Sequence, residues 1–129
     1  MIQTTILNAS PPIVHHRITA FTGVKEVRSG VTTAAEIIDS ITPNDEPFDL
    51  LLHFDPGGAT DDYTLAAHRE WASTFKALDK VVRLVGKTAV VGLESPRLRS
   101  EQEHLQTDRF QFFTELEPAL HWLGVVTIP

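Results

Sequence analysis

The chain is expected to fold as an α/β domain, a sandwich of strands and helices joined by right-handed crossovers. Three observations predict it. Strand-like and helix-like segments alternate along most of the chain, the signature of consecutive βα units. Leu50, Leu51 and Leu52 are consecutive within Phe48–Phe54, so this strand is apolar on both faces and belongs inside a sheet covered by helices. Two helix-start signals, Thr33-Ala-Ala-Glu36 and Thr114-Glu-Leu-Glu117, follow strand-like runs, as capping boxes do.

The first elements read as sheet. Residues 2–7 alternate weakly and meet a turn signal at Asn8–Pro12. Ile13–Phe21 is rich in β-branched residues, and Val24–Arg28 alternates apolar and charged side chains, as a half-buried strand does. Gly23 between these runs reads as a hairpin turn or bulge. The sheet is therefore expected to begin antiparallel, with one edge strand. Gly30 closes this section. A short helix then carries Ala34, Ile37, Ile38 and Ile41 on one face until Pro43 ends it.

Phe48–Phe54 is the expected central strand, stopped by Asp55-Pro56-Gly57-Gly58. Thr60 is a candidate N-cap, with Asp61 and Asp62 in the first turn of the next helix. Leu65, Ala72, Phe75, Leu78, Val82 and Val85 form one stripe of a long helix, widened by Trp71 and Val81 and stopped at Gly86. Thr88–Leu93 reads as a buried parallel strand. Pro96 opens a polar helix to about Leu105. Arg109–Phe113 is the last strand, and the last helix presents Leu116, Leu120 and Leu123 to the core before Gly124.

Composition bounds the function. The 129 residues suit one domain over 1–129, with 42% apolar and 22% charged residues. A formal net charge of -6 argues against nucleic acid as a partner. The absence of cysteine removes disulfides, thiol chemistry and Cys-containing zinc sites, and fits a cytoplasmic protein. The N-terminus has no basic n-region or continuous apolar core, so no signal peptide is expected, and no apolar run reaches membrane-spanning length.

The second half, from the LLLHF strand through TAVVG to FFTELEPALHWL, resembles the SpoIIAA-like group of the STAS superfamily, small bacterial proteins also labelled STAS/SEC14 domain-containing. The resemblance covers about residues 13–124. It implies a mixed β-sheet of four to five strands with helices packed mainly on one side, no cofactor, and a regulatory or binding role. In anti-sigma factor antagonists of this kind, a serine or threonine after a central strand is phosphorylated to break partner binding. Here Asp62-Tyr63-Thr64-Leu65 stands where the family carries Asp-Ser-Ser-Gly, leaving Thr60 and Thr64 as the phosphorylation candidates.

The candidate site is accordingly the strand end and the loop after it: His53, Asp55, Gly57, Gly58, Thr60, Asp62 and Thr64. The expected partner is a protein or a small apolar or anionic ligand, and a homodimer is compatible with this reading. His53 and Asp55 share one strand face, which also admits an enzyme that orients the imidazole for acid–base work. A third reading is an apolar-ligand carrier with Trp71, Phe75 and Trp122 lining its pocket; at helical spacing these aromatics equally read as core. DPGG lacks the lysine and glycine spacing of a phosphate loop and also reads as a simple turn. His15 and His16 are adjacent on a strand and point to opposite faces, so they do not chelate together. Residues 29–68 hold eight acidic residues and no Lys or Arg, whereas 69–109 hold eight basic and six acidic ones. That asymmetry can steer a partner or simply be a solvated surface.

Overall fold

A computed structural model of the chain describes residues 2–7, 9, 11–19, 24–55, 65–92 and 107–125. Five strands form one mixed sheet in sequence order: β1 (Ile2–Leu7), β2 (Ile13–Thr19), β3 (Phe48–Asp55), β4 (Val85–Val91) and β5 (Phe110–Phe113). β1 is antiparallel to β2, and every later neighbour pair is parallel. The helices are α1 (Val24–Ile41), α2 (Leu65–Phe75), α3 (Asp79–Leu84) and α4 (Leu116–Trp122). The expected α/β class and the antiparallel start of the sheet are both present.

β3 is the middle strand, as its unbroken leucines require. Phe48, Leu50, Leu52 and Phe54 point to one face and join the larger apolar cluster with Val14, Ile18 and side chains of α1, α2 and α3. Leu51 points to the other face, where Ile13, Ala89 and Val91 meet Ala119 and Leu123 of α4. Among the described residues, three helices thus cover one face and one covers the other.

Several local readings are corrected. Val24–Arg28 is the start of α1, not a strand, so the antiparallel partner of β2 is β1 and not this segment. Val24, Val27, Val31, Ala34 and Ile38 step by three and four, a helical stripe of which Val24–Arg28 holds only the first step. Gly30 lies inside this helix and allows close approach to β1: a Cβ there would sit 2.7 Å from Ile2 Cβ. The Thr33 capping box does not form, because Thr33 Oγ1 instead donates to the Ser29 carbonyl at 3.1 Å within the helix.

The single long helix is two helices. α2 stops at Phe75, and Leu78, in extended conformation, leads into α3. The break lets Phe75 and Val81 both reach the core, while Val82, assigned to the buried stripe, is 67% exposed. Gly86 is not a helix stop but part of β4. There β4 has one residue more than β3 between the pairs Phe48–Val85 and Leu50–Thr88, a bulge. The buried Asp49 carboxylate accepts the Lys87 backbone N–H at 2.8 Å at this irregularity.

At α4 the expected Thr114 cap is also replaced: Glu115 is the N-cap and makes no side-chain capping bond. The C-terminal stop is as expected. Gly124 has φ +88°, and Gly124 N–H and Val125 N–H bond the carbonyls of His121 and Leu120, the Schellman arrangement that favours glycine. Leu123 is buried, and Leu116 and Leu120 pack half-buried against the same cluster. The polar helix expected over 96–105 lies outside the described residues.

Candidate functional site

The parallel pairing of β2 and β3 sets Arg17 beside His53 and His15 beside Leu51. Alternation then places His15, Arg17 and His53 on one face of the sheet. Ile13 and Leu51 on this face belong to the apolar cluster under α4; toward the C-terminal ends of the strands the face turns polar. That end of an open α/β sheet is where such folds commonly bind ligands.

His15 Nε2 lies 3.0 Å from His53 Nδ1. The ring planes differ by 15° and the ring centres are 5.2 Å apart. The centre separation is close to the N···N distance plus the two ring radii, so the imidazoles meet edge to edge, nearly coplanar, and not face on face. One nitrogen of the contact donates and the other accepts. The outward nitrogens, His15 Nδ1 and His53 Nε2, are then one donor and one acceptor, whichever ring holds the shared proton.

Both rings are held neutral at pH 7. Burial lowers the His53 pKa to about 4, with further lowering from His15 and the Arg17 charge. Burial also lowers that of His15, with Arg17 adding to the effect. Desolvation and like charge both disfavour the imidazolium. The collinear contact leaves no room for an ion between the two nitrogens, and among the described residues no group of three metal-ligating side chains gathers.

The sequence reading sets His53 with Asp55; among the described residues His53 contacts His15. The Asp55 backbone ends β3, and its side chain, with Gly57, Gly58, Thr60, Asp62 and Thr64, lies outside the described residues. His15 and Arg17 are the site residues that reading the sequence missed. Their signal was the β2–β3 register: with the two strands parallel and neighbouring, odd-numbered residues of both share a face.

His16 faces the opposite way and is fully buried. Trp71 Nε1 donates to His16 Nε2 at 3.0 Å. Indole N–H can only donate, so the neutral ring carries its proton on Nδ1, 3.0 Å from Thr4 Oγ1. Phe75 stacks on the ring with centres 4.6 Å apart. His16 is thus a satisfied core histidine.

Trp71 and Phe75 are fully buried, whereas Trp122 is on the other face against Phe113, ring centres 5.8 Å apart. The three aromatics therefore do not line one pocket. A mostly apolar hollow of about 330 Å³ does border Trp71 and Phe75, with Leu50, Leu52, Val85 and Phe110 on its other walls.

The charge asymmetry of the sequence is used at least partly within the chain. Arg83 meets Asp45 at 3.4 Å, and Lys80 meets Asp39 at 3.4 Å while donating to the Thr42 carbonyl at 2.9 Å. These contacts tie acidic residues near the end of α1 to basic residues of α3. No described helix is long and apolar enough to cross a membrane. Comparison with protein-family models, with curated proteins and with solved structures returned no match.

Proposed function

We propose that this chain is a non-catalytic binding module of STAS type that engages an anionic group, on a protein partner or a small ligand, at the C-terminal end of its parallel strands. The observation that carries it is the edge-to-edge His15–His53 pair beside Arg17. Taking up one proton converts the pair to N–H⁺···N with both outward nitrogens donating, a charged donor set that suits an oxyanion. The neighbours are compatible: β1 sets Thr5 opposite His15 and Gln3 opposite Arg17, and β4 sets Val91 beside His53. The antiparallel start followed by parallel βα units in sequence order supports the STAS-type reading.

An enzyme using His53 is the weaker reading. A general base works best with a pKa near the operating pH, and His53 is held at about 4. An apolar-ligand carrier is a second reading, favoured by the hollow beside Trp71 and Phe75; its test is the quenching of Trp71 fluorescence by a fatty acid.

The binding reading is tested by histidine-selective NMR during titration with inorganic phosphate and with a phosphoserine peptide. The His15 and His53 ring signals are expected to move while those of His16 and His121 stay. The midpoint is expected at lower anion concentration at about pH 5.5 than at about pH 7.5, because bound anion and bound proton favour one another. Unmoved His15 and His53 signals with both anions at both pH values would sink the reading.

A further inference from the structure

The two edges of the sheet are finished differently. At β5, four residues long, Thr107 and Phe110 already exchange both backbone hydrogen bonds, at 2.9 and 3.2 Å, and Arg109 stands beside them. At β1, all six residues pair with β2 without a bulge, and no described strand lies on the outer side. The strand reads IQTTIL. It has no charge, proline or glycine, the devices that usually keep an edge from pairing.

Its sequence is also self-complementary. An antiparallel two-fold centred on Thr4 sets Ile2 against Ile6 of a second copy, Thr4 against Thr4, and Gln3 against Thr5. The first two pairings are on the α1 face, continuing the row in which Ile2 and Ile6 pack half-buried against the larger cluster. The third is on the exposed face. Ile2–Ile6 and Gln3–Thr5 each occur twice about the two-fold, with Thr4 on the axis, as an isologous interface requires. The α1 surface beside Ile2 carries one cation and one anion, Lys25 and Glu26. That border is balanced, although the whole chain has a net charge of -6.

We infer that β1 is a self-association edge: two copies pair β1 to β1, antiparallel about Thr4, into one continuous sheet. The partner is a second copy of this chain. Strand addition at an open edge gives affinity through the backbone and specificity through alternate side chains.

Sedimentation equilibrium on the full chain, from micromolar to near-millimolar concentration, tests it with two double variants at exposed positions. Q3K/T5K places lysine against lysine twice across the two-fold; Q3E/T5K places glutamate against lysine twice. The native chain and Q3E/T5K are expected to reach twice the chain mass of 14.3 kDa, and Q3K/T5K to stay at the single-chain mass, all three with the same near-UV circular dichroism. A monomeric native chain, a dimeric Q3K/T5K, or monomers for both variants would each overturn the proposal. None of these outcomes bears on the His15–His53 reading, which phosphate titration tests separately.

Discussion

Trp71 and His16, 55 positions apart, are joined by a 3.0 Å hydrogen bond that only a neutral His16 can accept. Burial holds the His16 pKa at about 3, with a smaller contribution from His15, against an ordinary value of 6.5. The unfolded chain therefore binds more protons than the folded one between those values. Stability is full above pH 6.5 and falls as pH drops toward 3, by up to about 1.4 kcal/mol for each pH unit. The urea midpoint is expected to drop between about pH 7.5 and about pH 5. His16→Gln should be less stable at pH 7.5 but show a shallower drop. An equal drop in both proteins would assign the acid sensitivity elsewhere, the depressed His15 and His53 being the next groups with the same sign.

The bulge between β3 and β4 joins two residues in a way that can be separated by double substitution. A Cβ at Gly86 would stand 2.7 Å from Asp49 Oδ1, and that same oxygen accepts the Lys87 N–H. Gly86→Ala is expected to cost about 1–3 kcal/mol, through a clash that displaces a buried carboxylate. In an Asp49→Ala background, itself destabilised, the further cost of Gly86→Ala should fall to a few tenths of a kcal/mol or less. Additive costs in denaturant unfolding would show that the clash is not with Asp49.

Gly30 offers a case where helix propensity and packing disagree. In an exposed helix interior, glycine to alanine gains about 1 kcal/mol. Here the new methyl would meet Ile2 Cβ, Cγ2 and Cδ1 at 2.7–3.0 Å, so Gly30→Ala is expected to destabilise the native chain. With Ile2→Gly in place, which removes the Cβ as well as the branches beyond it, the same substitution should become stabilising. A gain in the native background would mean that β1 shifts at no cost.

β3 was legible from the sequence because three consecutive leucines admit one interpretation in a strand of that length. The terminus at Gly124 was legible because left-handed backbone selects glycine. α1 was half missed: Val24 and Val27 stand three apart, a helical step that two residues alone do not establish, and Val31, Ala34 and Ile38 continue it. The break after Phe75 carries no proline or glycine. It arises from tertiary packing, which turns Val81 inward and leaves Val82 in water. Of the candidate site, His53 was legible as a polar residue ending a buried strand. His15 was not, since its contact with His53 is a property of strand register, which no single segment encodes.

The sheet divides the interior into two compartments that share walls but not contents. Among the described residues, fifteen buried apolar side chains lie on the α1–α3 side and six on the α4 side. The α4 side thus holds the smaller core among the described residues. α4 is therefore expected to behave as a hinged cover, its amides exchanging with solvent deuterium at a lower opening free energy than those of β3, which both compartments hold in place. Equal protection of Leu120 and Leu51 in native-state exchange would show instead that the two sides open only together. A cover that lifts alone would expose Ile13, Leu51, Ala89 and Val91 without disturbing the neutral His16 behind the sheet.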